Sequence, residues 1–215
     1  MSAHEPIKRK LVIVGDGACG KTCLLTVFHR GRFPHVPTVF EHFVAELRID
    51  GRYVSLSLWD TAGQEEYERL RPMAYPHSNV VLIAYAIDSP DSLDNVTSKW
   101  IDEVRRECPG CPVILVGCKR DLREERLTRG ESIEQFVTAE QGAEVAKQIG
   151  AKRHIECSAL TGYHVDKVFE HATRAALFSG ALGYSKDRVP KKDAAHKTHV
   201  RSGSQDNTTN CCVIL

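Results

Sequence analysis

The densest chemistry in this sequence lies near its N-terminus, in Gly15-Asp16-Gly17-Ala18-Cys19-Gly20-Lys21-Thr22. The spacing, G-x-x-x-x-G-K-[ST], is that of a phosphate-binding loop. Its glycines let the backbone curl so that N–H groups converge on an anion. A helix that follows directly turns its positive dipole end to the same anion. Lys21 can reach β- and γ-phosphates, and the Thr22 hydroxyl can ligate Mg²⁺. Cys19, inside the loop and close to a helix start, occupies a setting that can lower a thiol pKa. The simpler reading is a small residue that fits.

Three later segments complete a constellation. In Leu58-Trp59-Asp60-Thr61-Ala62-Gly63-Gln64, a carboxylate ends an apolar stretch, the place for the second shell of a Mg²⁺ ion. Gly63 can bring a backbone N–H to a γ-phosphate, and the neutral amide of Gln64 can orient an attacking water. Between the two lies Pro37-Thr38-Val39-Phe40-Glu41. There the Thr38 hydroxyl can reach Mg²⁺ only while a γ-phosphate holds the loop, which is the physical basis of a switch. In Cys118-Lys119-Arg120-Asp121, a carboxylate can accept from both N1–H and the 2-amino group of guanine. Adenine offers neither, so Asp121 argues for GTP over ATP. In Ser158-Ala159-Leu160 a backbone N–H can meet the guanine O6.

These segments must be positioned by the elements between them. Residues 7–15 read as a strand and 21–31 as a helix. Phe43–Asp50 and Tyr53–Asp60 read as strands joined at Asp50-Gly51, a strong hairpin signal, so this pair is antiparallel. The continuous apolar runs Val80–Ile87 and Pro112–Cys118 suit strands buried on both faces. Ser89-Pro90 starts a helix, with Ser89 as N-cap and Pro90 at its first position, and Trp100, Ile101 and Val104 lie on its apolar side. His154–Cys157 is the last strand and 165–182 the closing helix. Strands alternating with helices mean a mostly parallel sheet with helices on both faces, binding ligands at the carboxyl ends of its strands.

Composition narrows the class. Of 215 residues, 29 are basic and 28 acidic, a balance that makes no case for nucleic acid as a partner. No apolar run approaches the ~18 residues of a membrane-spanning helix, and the first ten residues do not read as a secretory signal. Eight cysteines are then expected mostly as thiols. Cys108-Pro109-Gly110-Cys111 lacks the second ligand pair that a zinc site needs, and its Pro-Gly centre reads as a loop between a helix and a strand rather than a metal or redox centre.

Taken together, the sequence resembles the Ras superfamily of small GTPases over residues 7–182, and within it the Rho family. The resemblance rests on the phosphate loop continued to Cys23, on Pro37–Glu41, on Leu58–Glu65 and on Arg69-Leu70-Arg71-Pro72. It implies a P-loop NTPase fold of the α/β class: a Ras-like G domain with a six-stranded, mostly parallel sheet, one antiparallel strand, and a charged Rho-type insert helix over residues 123–136. It implies GTP/GDP and Mg²⁺ as ligands, slow hydrolysis and a monomeric switch. Implied partners are exchange factors, GTPase-activating proteins, a dissociation inhibitor, and effector kinases or scaffolds in actin, polarity or cell-wall control. Residue by residue, it gives Lys21 the phosphate, Thr22 and Thr38 the Mg²⁺ and Gln64 the water. Phe33 goes beside the base, and Lys119 and Asp121 take the guanine. Gly17 leaves room for an arginine supplied by a partner, and no arginine in cis stands ready for that role.

Two features depart from the family pattern. The guanine motif begins with Cys118 where Asn or Thr is usual, and a thiol is a weak hydrogen-bond partner. Phe33 and Thr38 are two residues closer together than is usual, so a less ordered switch loop and faster nucleotide release are expected. A GTPase-deficient or fast-exchanging binding module is therefore the alternative to a cycling switch, and an ATPase or kinase is disfavoured by Asp121. Residues 1–6 form an extension. Residues 183–215 form a tail expected to be disordered, with six basic against two acidic residues over 186–201. It ends in Cys212-Val213-Ile214-Leu215, a C-a-a-X motif whose Leu favours geranylgeranyl on Cys212. Cys211 is a palmitoylation candidate that would add a second membrane signal. The expected location is the cytoplasmic face of the plasma membrane, with a cytosolic inhibitor-bound pool.

Overall fold

The strand β1 (Ile7–Gly15) is fully buried from Leu11 onward, as its apolar run requires of a central strand. The computed structural model describes residues 5–33 and 42–179. The switch-loop residues Pro37, Thr38 and Glu41, the tail with Cys211 and Cys212, and the last residues of the expected closing helix lie outside them. Among the described residues the sheet has six strands in the order β2-β3-β1-β4-β5-β6. These are β2 (His42–Ile49), β3 (Arg52–Trp59), β4 (Val80–Ala86), β5 (Val113–Cys118) and β6 (Arg153–Glu156). Only the β2–β3 pair is antiparallel. Its turn is built by Asp50 and Gly51, both at positive φ (50° and 78°), the geometry that matches strand twist in a two-residue hairpin.

The helices are α1 (Lys21–Arg30), α2 (Pro90–Asn95), α3 (Ile101–Glu107), α4 (Arg120–Thr128), α5 (Ala139–Ile149) and α6 (Val165–Phe178). One sheet face packs on α1 and α6, where the rings of Phe28 and Phe169 stack at 3.8 Å. The other packs on α2, α3 and α5 around the fully buried Trp100. Parallel register aligns the strand ends: Gly15 pairs with Ala84, Ala86 with Cys118, and Gly117 with Glu156. The phosphate loop and both guanine segments therefore leave the same edge, at the reversal of strand order where such sheets bind ligands.

Two expectations need correction, and a third, Ser89 at the N-cap, holds in position without a side-chain bond. The insert is not helical over 123–136. The helix runs Arg120–Thr128, buries none of its residues and ends as Gly130 takes φ 68°. The chain then bends so that Phe136 and Val137 enter the core. Ser89 stands at the N-cap but its hydroxyl makes no capping bond; instead the Ser92 hydroxyl donates to the Ser89 carbonyl (2.6 Å) and accepts from the Ala86 amide (2.9 Å). The following helix is also not continuous, since Val96–Trp100 form a π-turn between α2 and α3. Helix α5 starts at a capping box, Thr138 with Gln141, whose signature is local in the sequence.

On α5, Gly142 touches the Tyr85–His154 pair so closely that a Cβ there would lie 2.4 Å from the tyrosine hydroxyl. Burial keeps that hydroxyl protonated, and it shares a hydrogen bond with Nε2 of His154 at 2.9 Å. Burial also holds His154 below its ordinary imidazole value. The unfolded chain therefore takes up this proton first as pH falls, and the stability present above about pH 6.5 declines below it. The urea midpoint is expected to drop between about pH 7.5 and 5.5, and His154→Gln to flatten part of that drop. His171, likewise held low by burial, keeps the remainder.

Candidate nucleotide site

The phosphate loop curls between β1 and α1 with Ala18 and Gly20 at positive φ (57° and 105°). Gly15 is irreplaceable on steric grounds, because a Cβ would sit 2.1 Å from the Ala84 carbonyl oxygen. Lys21 is buried, and its ammonium donates to the carbonyls of Gly15 (2.9 Å) and Asp16 (2.7 Å). The cation is thus folded over the loop's own backbone, beside the N–H groups that face an anion. Cys19 is also buried, its Sγ 3.6 Å from the Ala84 carbonyl. Burial pushes its thiol up to about 11 despite Lys21, opposite to the lowering that its place near a helix start can produce. Burial likewise raises the half-buried Cys23 thiol of α1.

The segment after β3 folds back onto this loop. The Thr61 hydroxyl donates to the Ile13 carbonyl at 2.6 Å. The Thr22 hydroxyl donates to Asp60 Oδ2 at 2.5 Å, and Asp60 is buried. A hydroxyl and a carboxylate in contact are hard oxygen donors of the type Mg²⁺ selects, so the residues present fit the ion. Gly63 lies directly on the phosphate loop, where a Cβ would come within 2.3 Å of the Gly15 oxygen. Gly17 faces Gln64: a Cβ built on Gly17 meets the Gln64 Cγ at 3.5 Å. Gln64 itself is exposed.

At the base end, Lys119 adopts φ 63°, turning the chain into α4 so that Asp121 stands in its first turn, half-buried. The Lys119 ammonium is 3.2 Å from Asp88. The Arg120 amide donates to the Cys157 carbonyl at 3.1 Å, tying the two guanine segments together. Ser158 is buried, its hydroxyl accepting from the Thr161 amide at 3.1 Å, while Ala159 is half-buried and Leu160 exposed. Phe33, expected beside the base, is exposed at the end of the first described segment.

Sequence spacing gave no sign of what holds this site from behind. Asp16 points away from the loop's anion face: Oδ1 accepts from Trp100 Nε1 and Oδ2 from Asn95 Nδ2, each at 2.7 Å. Asn95 caps the π-turn and Trp100 ends it. Three residues further on, Glu103 accepts a bidentate pair from Arg71 (2.7 and 2.9 Å) and a third bond from the Tyr75 hydroxyl (2.7 Å). Arg71 also donates to the Ala62 carbonyl at 2.9 Å and lies over the Trp100 ring at 4.7 Å. The phosphate loop and the Gly63–Gln64 segment are therefore fastened to one stretch of chain, residues 95–103.

The comparisons agree with this geometry. The Ras family profile matches residues 10–178. The chain belongs to the Ras family, in its Rho branch. It is 63% identical over 198 aligned residues to the GTP-binding protein RHO1 of Saccharomyces cerevisiae, covering 89% of this chain and 92% of that one. To the RHO1 of Eremothecium gossypii it is 60% identical over 198 residues, with 88% and 94% covered. Identity to the GTP-binding protein rho2 of Schizosaccharomyces pombe is 50% over 220 aligned positions, the full length of both. This Rho-type GTPase binds GTP, GDP and Mg²⁺ and hydrolyses GTP, as its family does, and its similarity runs to fungal Rho proteins.

If the Trp100 bond holds the loop in shape, removing it loosens the nucleotide. Trp100→Phe keeps an aromatic ring but loses a donor to a carboxylate, a bond of ~1.5–3 kcal/mol. GDP release in Mg²⁺ should accelerate about tenfold, the equivalent of ~1.4 kcal/mol. Fluorescent-GDP release measures this, with Val104→Ala, which loosens the same helix without touching Asp16, staying near the unaltered rate.

Proposed function

We propose that this GTPase is a membrane-tethered switch whose GTP-bound form engages effectors and whose cycle depends on outside proteins. The observation that carries the reading is the Thr22–Asp60 contact at 2.5 Å, which joins the phosphate loop to the segment bearing Gly63 and Gln64. In this reading Lys21 and the loop N–H groups of residues 15–20 bind the β- and γ-phosphates. Thr22 holds Mg²⁺ with Asp60 behind it, and Thr38 joins them when GTP is bound. The ion supplies charge neutralisation across the phosphate oxygens. Gln64 orients the water, Asp121 accepts from guanine, and the amides of Ala159 and Leu160 face its O6.

In this reading no arginine of the chain itself acts on the γ-phosphate. Arg71 sits close by through Ala62 but is consumed by Glu103. Unaided hydrolysis then belongs in the slow range of such enzymes, on the order of 10⁻⁴–10⁻² s⁻¹, and an arginine from an activating protein would add a factor of about 10³–10⁵. Gly17 leaves space for that side chain beside Gln64. Exchange factors, a dissociation inhibitor and effector kinases or scaffolds would complete the cycle. The C-a-a-X cysteine Cys212, with Cys211 as a second lipid site, would place it at the cytoplasmic face of the plasma membrane.

Single-turnover hydrolysis of protein-bound GTP tests the chemistry. Gln64→Leu should abolish the stimulated rate and leave GTP binding intact, with GTP but not ATP displacing bound GDP. Equal stimulated rates in the two proteins would remove Gln64 from the mechanism. The anchor is tested separately by fractionating cells: Cys212→Ser should move the protein from the membrane pellet to the soluble fraction, and an unmoved protein would exclude lipidation at that residue as the anchor.

A further inference from the structure

The turn Cys108-Pro109-Gly110-Cys111 lies at the edge of the sheet opposite the nucleotide site, between the end of α3 and the start of β5. The Cys111 amide donates to the Cys108 carbonyl at 3.2 Å, and Gly110 has φ 77°. Proline second and a positive-φ glycine third are what a type II turn demands, and such a turn holds its first and fourth Cα atoms within ~7 Å. Disulfides span Cα separations of ~4.4–6.8 Å, so the backbone already presents the two cysteines at bridging range. Both side chains are half-buried against the same apolar cluster, which keeps them on one side of the turn, and each thiol influences the other.

Their surroundings are unequal. Cys111 Sγ donates to the Ser78 carbonyl at 3.7 Å. Cys108 instead feels the Lys10 ammonium, which is fixed by the Pro76 carbonyl at 2.9 Å and the Trp59 ring at 3.9 Å. The contact with Cys111 and the Lys10 ammonium hold the Cys108 thiol below its ordinary range, while Cys111 is pushed up. Cys108 feels a cation and Cys111 faces a carbonyl oxygen, so negative charge is better placed on Cys108. That is the arrangement of an attacking and a resolving cysteine. By contrast the Cys118–Cys157 pair, also in contact, is closed to solvent at 3% and 1% exposure.

We propose that Cys108 and Cys111 form a reversible redox site, oxidised by hydroperoxides and restored by dithiols. The Cys108 thiolate attacks the peroxide oxygen; an S–O bond forms, the O–O bond breaks, and the leaving hydroxide or alkoxide takes a proton to become water or an alcohol. Cys111 sulfur then attacks the Cys108 sulfenic acid. The S–S bond forms, the S–O bond breaks, and the Cys111 proton leaves with the hydroxide as water. Two electrons pass from the two sulfurs to the peroxide, and a dithiol returns them through a mixed disulfide.

The test uses the full-length GDP·Mg²⁺ protein and hydrogen peroxide. After a brief exposure, free thiols are blocked and the peptide spanning residues 108–111 is weighed. The expected result is a peptide lighter by two hydrogens and unblocked at both cysteines, reverting on dithiothreitol. Cys111→Ser should stop at the sulfenic acid, trapped on Cys108 by dimedone. Cys108→Ser should leave Cys111 as a thiol at the same dose. Complete blocking of both cysteines after a dose that oxidises glutathione would overturn the proposal, as would a disulfide mapping to other cysteines. Because both serine variants remove only a sulfur from a half-buried turn, unchanged far-UV circular dichroism is expected to show that they fold.

Discussion

A loop that must receive phosphate carries a carboxylate, Asp16, among its inward-facing amides. Like charge would repel the ligand if that side chain turned inward. The structure removes the conflict by pointing the carboxylate backwards and saturating its two oxygens with neutral donors, Trp100 Nε1 and Asn95 Nδ2. Asp16 thereby becomes the loop's anchor to the body of the domain. The anion-binding amides on the front of the loop owe their position to what holds its back, and the π-turn at Val96–Trp100 sets the donors that do so. π-turns within helices recur at functional sites for this kind of local re-aiming.

Below that anchor, Arg71 and Glu103 form an ion pair with side chains 1% and 5% exposed. Burial penalises the Glu103 carboxylate, but bonds from Arg71 and Tyr75 outweigh it and hold the carboxyl below its usual value. A buried pair of this kind is weak evidence for net stability, because desolvation offsets the attraction, yet removing one partner is costly. Its geometry suggests a different use. Arg71 Nη1 donates to the Ala62 carbonyl, next to Gly63, whose backbone rests on the phosphate loop. The pair fixes where the Gln64-bearing segment begins, while Gln64 itself stays exposed.

The parts of this arrangement that were legible in the sequence are those written locally. Lys21 follows Gly20, Asp60 ends an apolar strand, and Asp50-Gly51 closes a hairpin; each is a contiguous pattern with one physical meaning. The residues behind the site were not legible for the converse reason. Asp16 and Trp100 lie 84 positions apart, and Arg71 and Glu103 lie 32 apart, and nothing local tells a tryptophan on an apolar helix face that its ring nitrogen is a donor. The insert failed differently. Its charge suggested a continuous helix, but Gly130 ends the helix and two apolar residues beyond it, Phe136 and Val137, gain more by entering the core than by extending an exposed helix.

Cys118 shows how a departure from a family pattern can be absorbed. An amide or hydroxyl side chain there would offer hydrogen bonds that a thiol cannot match. In this chain the thiol is buried, pairs with Cys157 and packs against the phosphate loop, where a Cβ on Gly20 would meet its Cβ at 3.3 Å. The segment is held instead by main-chain bonds: the Cys118 carbonyl accepts from Ile87 (2.9 Å) and the Arg120 amide donates to the Cys157 carbonyl (3.1 Å). These bonds use no side chain at position 118, so the direction of Lys119 and Asp121 survives the substitution. What the thiol supplies is volume and a dry contact between the two loops.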